Sequence, residues 1–209
     1  MFLLTVTSRS AAAFKILDPD SSLVKELQEN SDMTAFIKIM NKYKSTVYNF
    51  CLKYTGNREN AEEISQDVFM KVYRNINSFR GDSKFSTWLY KITLNTCKNS
   101  ERWYRKRLIR GNVSINENDG DEENKNPVIP DRSYDPERIL LNKELGTIIH
   151  SAAGKLPVKQ KAVVIMRDFL GKTYEEIASI LNINIGTVKS SLARGRLNIA
   201  KQIGEYYQK

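Results

Sequence analysis

Residues 111–140 form a polar, acidic, proline-bearing stretch without apolar periodicity, and they divide the chain in two. The segment "NENDGDEENKNPVIPDRSYDP", with Pro127, Pro130 and Pro136, reads as a linker. About 30 residues can extend close to 100 Å, roughly three turns of duplex DNA. Charge follows the same division. Residues 31–110 hold 16 basic against 7 acidic side chains, and residues 141–209 hold 11 against 5. Residues 111–140 hold 3 against 8, and residues 1–30 hold 3 against 4. Two basic modules on an acidic tether suit a polyanionic partner, nucleic acid or an acidic membrane surface.

The tether's Asp119, Asp121, Glu122 and Glu123 lack the EF-hand order of alternating ligands, glycine and distant Glu. They read as a solvated charge run that keeps the tether off DNA, and no metal is expected. At 41% hydrophobic, the 209-residue chain can build real cores. No apolar run approaches the roughly 18 residues that span a bilayer. The opening "MFLLTVTSRSAAAF" lacks the basic flank and the apolar length of a secretory signal. Cys51, Cys97 and the lone His150 supply neither a disulfide framework nor a four-ligand zinc site, which favours a reduced cytosol.

In the second module, Pro157 suits a first helical turn, and Val163, Val164, Met166, Phe169 and Leu170 offer an apolar face ended by Gly171. Thr173 and Glu176 have the spacing of a capping box, so another helix starts there with Ile177, Ala178 and Leu181 inward. The corner "NINIG" leads into a helix whose Val188, Leu192 and Ile199 recur at helical spacing. Steps of 100° from Val188 put Thr187, Ser190 and Arg194 on the opposite face, with Lys189 and Arg196 flanking. Small hydroxyls and long cations are what major-groove reading needs. A packed helical corner with a solvated cationic face is the plainer alternative. Leu197 on the outer side and Gly195 inside the helix have no rationale in the pattern.

In the first module, Phe36, Met40, Tyr43, Val47, Phe50 and Tyr54 form a helical stripe closed by Gly56. The next helix turns Ile64, Val68, Val72 and Ile76 inward and gathers Glu62, Glu63, Gln66 and Asp67 near its start. Carboxylates there suit the helix dipole or a partner surface; as a catalytic set they lack a histidine, metal site or nucleotide loop. Asn77 through Phe85 reads as a loop, with Ser86 a candidate cap for the following helix. Phe79, Phe85, Trp88 and Tyr90 alternate with Arg80, Lys84 and Lys91, before Trp103, Tyr104, Arg105, Lys106 and Arg107. Aromatics mixed with cations can stack unpaired bases while holding phosphates, although Trp88 could equally pack inward. Arg80, Gly81, Asp82 and Ser83 offer hydrogen-bonding groups where a flipped base could lodge.

Two blocks, "AEEISQDVFMKVYRNINSFRGDSKFSTWLYKITLN" and "LPVKQKAVVIMRDFLGKTYEEIASILNINIGTVKSSLARGRL", resemble those of extracytoplasmic-function sigma factors of the sigma-70 family, in the family's order. The resemblance covers about residues 31–107 and 141–205 and leaves residues 1–30 as an extension without a counterpart. It implies an all-α protein of two small helical domains joined by a flexible acidic linker, residues 108–140. Residues 31–107 would be the region 2 bundle, which grips core RNA polymerase and melts the promoter at the −10 element. Residues 141–209 would be the region 4 helix-turn-helix, which reads the −35 element. Carried over by position, Glu63, Gln66 and Asp67 fall in the polymerase-binding helix. Ser78, Phe79, Arg80, Gly81, Asp82, Ser83, Lys84 and Phe85 fall in the base-capturing loop. Trp88, Lys91, Asn95 and Lys98 fall on the −10 helix, and Thr187, Lys189, Ser190 and Arg194 on the −35 helix, with Arg196 on nearby phosphates.

The resemblance implies core RNA polymerase, duplex and single-stranded promoter DNA and an anti-sigma factor as partners, without catalysis, cofactor, metal or small-molecule substrate. It places the chain in the cytoplasm or, through an anti-sigma factor, at the membrane. Ser191, Ala193 and Leu197 depart from the family's pattern, where larger or basic side chains are common, and bear on sequence preference. A stand-alone helix-turn-helix regulator is the alternative, and it leaves residues 77–107 without a use.

Overall fold

The computed structural model describes residues 18–30, 32–109, 146, 148–149 and 151–207, and every regular element among them is helical. The expectations placed on residues 1–17, His150 and the linker's Asp119, Asp121, Glu122 and Glu123 lie outside the described residues. Helix α1 spans Ser21–Asn30, α2 Met33–Thr55, α3 Arg58–Asn75 and α4 Phe85–Ile109. After the linker come α5 (Val158–Val164), α6 (Tyr174–Leu181) and α7 (Ile185–Tyr207).

Local chemistry sets most boundaries. Asp32 caps α2 by accepting from the Thr34 N–H at 2.8 Å, and Gly56 ends it in the left-handed region, φ 76°. The Asn57 side chain then caps α3 by accepting from the Asn60 N–H at 2.9 Å. The α3 face is buried as its spacing predicts, at Ile64, Val68 and Val72, with Ile76 in the 3₁₀ turn Ile76–Ser78 that follows. The α2 stripe is shifted by one residue in its first half. Ala35 and Ile39 are buried there, whereas Phe36, Met40 and Tyr43 are only partly covered. A stripe wider than 100° admits either choice from sequence, and the neighbouring helix makes it.

Helix α1 falls in the stretch without a family counterpart, yet it packs on α2 with Val24 and Leu27 buried. Asp20 is buried with it, accepting from the Tyr43 hydroxyl at 2.5 Å and pairing with Lys42. The start of α4 differs from the expectation at Ser86, which lies inside the first turn rather than capping it. The Phe85 N–H instead donates to Asp18 Oδ2 at 2.6 Å, a cap supplied from 67 residues away.

In the second module, α5 buries Ala162, Val163 and Val164 and runs into a π-turn, Ile165–Phe169, with Ile165 and Met166 buried. Phe169 and Leu170 are only partly covered. In α6, Ile177 and Ile180 are the fully buried residues, with Ala178 and Leu181 at the margin.

The two modules pack on each other through α4 against α6 and α2 against the π-turn. Three lysine–aromatic contacts cross the seam: Lys161 over Tyr54 at 4.3 Å, Lys53 over Phe169 at 5.2 Å and Lys172 over Tyr90 at 4.8 Å. Lys161 is 5% exposed, and burial pushes its ammonium below the ordinary lysine value, partly offset by the Glu101 carboxylate. The Tyr54 hydroxyl donates to Glu101 at 3.0 Å, so ring, carboxylate and ammonium form one cross-module cluster.

Candidate nucleic-acid interface

The loop between α3 and α4 is held at both ends from α1 and the residues just before it. Gln28 Nε2 donates to the carbonyls of Ile76 and Phe79, each at 2.9 Å, and Asp18 holds the Phe85 N–H. Ser78 closes its own turn by donating to the Asn75 carbonyl at 2.7 Å. Between these anchors Arg80, Gly81, Asp82 and Lys84 are exposed, Ser83 is half-buried, and Gly81 takes φ +78° with open space around it. The result is a short polar rim on a fixed base.

That base is aromatic. Phe79 packs edge-on to Phe85 at 5.8 Å and tilted against Trp88 at 5.5 Å, with Phe85 and Trp88 at 5.8 Å. Phe79 and Trp88 are half-buried, so each keeps some ring surface in reach of solvent. Phe85, grouped with the loop by the resemblance, is 0% exposed. It occupies the core beneath Phe79, where Tyr43 also packs at 5.8 Å, and it cannot touch a base from there. Its part is support.

Along α4, Lys91 and Lys98 are half-buried and Asn95 is exposed. These three side chains line a cleft with Leu94 and with Ile180, Leu181 and Asn182 of the second module. The expected −10 face is therefore partly covered in this arrangement. Farther on, Tyr104 turns back to α3 and donates to Asn60 at 2.5 Å, while Trp103 is exposed with the Arg107 guanidinium 4.4 Å from its ring.

On α3, Glu63, Gln66 and Asp67 are exposed together, and Asp67 pairs with Lys71 at 2.8 Å. Beside Gln66 runs an apolar groove of about 620 Å³ lined by Phe36, Met40, Tyr48, Phe69 and Met70. Met70 is 48% exposed. This groove was not foreseen. Its one legible signal is Met70, an apolar residue on the helix face that also carries Gln66 and Asp67.

The corner of the second module is built as its spacing predicts. Glu176 N–H donates to Thr173 Oγ1 at 3.1 Å, and Thr173 N–H donates to Glu176 at 2.9 Å. Asn182 closes α6 with φ 53°, and Asn184 caps α7, accepting from the Thr187 N–H at 2.7 Å and hydroxyl at 2.8 Å. The Thr187 proton is thus spent locally, which leaves its oxygen as an acceptor. Lys189, Ser190 and Arg194 are all exposed on α7, Lys189 on its flank. Arg194 makes no ion pair or hydrogen bond among the described residues, whereas Lys189 lies 5.8 Å from the Tyr174 ring. Arg196 is exposed but held by Asp168.

The three departures separate. Ser191 is buried, Ala193 is exposed, and Leu197 is 69% exposed on the outer side with nothing in the structure to explain it. Gly195 acquires a reason: a Cβ there would lie 2.7 Å from Val164 Cγ2, so α7 rests on α5 at this distance without displacing Val164 only because no side chain intervenes. Among the described residues no group of three or more His, Cys, Asp or Glu could hold a metal ion. No described helix is long and apolar enough to cross a membrane.

Comparison with known proteins agrees with this geometry. The family model Sigma-70 region 2 matches residues 39–107, and Sigma-70, region 4 matches residues 147–199. The RNA polymerase sigma-H factor of Pseudomonas aeruginosa is 31% identical over 189 residues, covering 89% of this chain and 94% of the relative. The ECF RNA polymerase sigma-E factor of Haemophilus influenzae is 34% identical over 185 residues, covering 88% and 95%. Among solved structures, the sigma factor RpoE of Bartonella quintana, in complex with the anti-sigma factor NepR, superposes with a TM-score of 0.60 at 20% identity. That match covers 81% of this chain and 96% of the other and supports the fold.

Proposed function

The chain belongs to the sigma-70 family, among its extracytoplasmic-function members, and on that premise we propose how its residues divide promoter recognition in transcription initiation. The second module reads the −35 element as duplex, with Lys189, Ser190 and Arg194 presented by α7 to the major groove. The first module captures unpaired bases of the −10 element. Its rim from Ser78 to Lys84 offers hydrogen bonds, the half-buried Phe79 and Trp88 offer ring surface, and Lys91, Asn95 and Lys98 follow the strand. The observation that carries this reading is the loop pinned at both ends over an aromatic base. A loop backbone fixed at its ends loses little freedom when a base enters.

Core RNA polymerase docks on Glu63, Gln66 and Asp67, with the apolar groove beside Gln66 supplying buried surface. Nucleotide addition belongs to the polymerase, and this chain contributes no catalytic group. An anti-sigma factor restrains the chain in the cytoplasm or at the membrane, a reading supported by the complex in which its structural relative was solved. The test is run-off transcription with core polymerase and a promoter library. Initiation from selected start sites supports the reading. Duplex binding without initiation favours a stand-alone regulator, and metal-dependent cleavage of the template would point to a nuclease.

A further inference from the structure

Arg196 and Asp168 lie 28 residues apart in sequence, yet they meet side-on. Nε of Arg196 donates to Oδ2 at 3.1 Å, and Nη2 donates to Oδ1 at 2.5 Å. Two local irregularities make the meeting possible. Asp168 sits in the π-turn, where the wider closure is visible in the Leu170 N–H donating to the Ile165 carbonyl at 3.1 Å. Such insertions occur frequently at functional sites. Gly195, one residue before Arg196, lets α7 lie against Val164 of α5 so closely that an added Cβ would fall 2.7 Å from Val164 Cγ2 and force a shift. The helix approach and the π-turn together bring carboxylate and guanidinium into register.

The geometry of the pair leaves part of the arginine unused. A guanidinium has five N–H donors in one plane, one on Nε and two on each terminal nitrogen. Asp168 takes the Nε proton and one on Nη2. Both Nη1 protons and the second Nη2 proton remain on the outer edge, and the Arg196 side chain is 57% exposed. An oxygen pair with the spacing of a phosphate or carboxylate fits that edge bidentately.

We propose that Asp168 is a positioning residue for duplex binding: it fixes Arg196 so that its outer guanidinium edge meets a DNA phosphate beside the α7 reading face. The proposal rests on α7 being the duplex-reading helix. It adds the residue that decides how Arg196 is held. Ordering a long side chain on binding costs about two- to tenfold in affinity, and the brace removes that cost by ordering Arg196 beforehand.

The test uses the full chain and a labelled random-sequence duplex of about 30 base pairs, three helical turns, titrated between roughly 50 and 200 mM salt. Arg196→Ala is expected to weaken binding and to make the slope of log affinity against log salt shallower by about 0.9, one phosphate. Asp168→Asn is expected to weaken binding about two- to tenfold with the slope unchanged. It should add nothing in the Arg196→Ala background. Asp168→Glu restores binding, because it can still brace the fork. Arg196→Lys keeps the charge without the fork and should reproduce the Asp168→Asn loss, so the test survives if Asp168→Asn fails to fold.

Unchanged binding by Asp168→Asn and Arg196→Lys overturns the proposal. So does tighter binding by Asp168→Asn with a steeper slope, which would make Asp168 a mask over Arg196. A wild-type chain without salt-dependent duplex affinity sinks the reading of α7 itself, a different failure from either.

Discussion

The two candidate DNA faces, on α4 and on α7, are built from similar residues and presented differently. On α7, Lys189, Ser190 and Arg194 are exposed, with Lys189 near the Tyr174 ring and Ser190 donating to the Thr187 carbonyl of its own helix. On α4, Lys91, Asn95 and Lys98 border a cleft closed on its other side by Ile180, Leu181 and Asn182. If the two faces act as proposed, α7 can meet a duplex as it stands, whereas parting of the modules would uncover more of Lys91 and Lys98 on α4. The seam suits parting. It buries Lys161, whose desolvated ammonium is offset by the Tyr54 ring, the Glu101 carboxylate and the Gly154 carbonyl at 3.4 Å, so this charged contact returns little net stability of its own.

Gly195→Val should break the comparison on one side only. The new side chain meets Val164 and is expected to cost about 1–3 kcal/mol through overpacking. A thermal melt of the full chain would show it, with duplex affinity lost and capture of single-stranded −10 DNA retained. A melt unchanged from wild type would mean that the approach of α7 to α5 is looser than drawn.

Arg194→Ala sharpens the same side. It should cost about 1–3 kcal/mol on a cognate upstream duplex and relax discrimination at one base. An equal loss on scrambled duplex would make Arg194 a phosphate contact instead.

Gln28→Ala tests the other side. Its two hydrogen bonds anchor the loop, and each is worth about 0.5–1.5 kcal/mol. Permanganate footprinting of the melted element should show weaker opening while duplex binding through α7 persists. Equal opening by the variant would remove α1 from the promoter-melting apparatus.

The smallest effect is expected at the seam. Lys172→Ala removes a contact with the Tyr90 ring worth about 0.5–1 kcal/mol. It should raise amide exchange along Lys91–Lys98 without altering α7. Exchange identical to wild type would show that other contacts hold the modules together.

Glu63, Gln66 and Asp67 could be placed on one α3 face from sequence because they share a helix within four residues of each other. Their apolar neighbour groove could not be so placed, since Phe36 and Met40 come from α2 and are left partly uncovered by a one-residue shift in its buried stripe. Phe85 illustrates the converse error. Proximity in sequence groups it with the rim, but the turn of the chain puts its ring underneath.

What the sequence determined alone is whatever acts over about one helical turn. The caps at Asp32, Asn57 and Thr173, the stops at Gly56 and Asn182 and the outward face of α7 are decided by groups within four or five residues. Tertiary structure alone decided the use of residues 18–30. Asp18 finds Phe85 across 67 positions and Gln28 finds Phe79 across 51. It also decided why Gly195 must lack a side chain and how Arg196 is held. Such contacts depend on which surfaces the packed helices bring together, and no periodicity or cap signal in the chain encodes that distance.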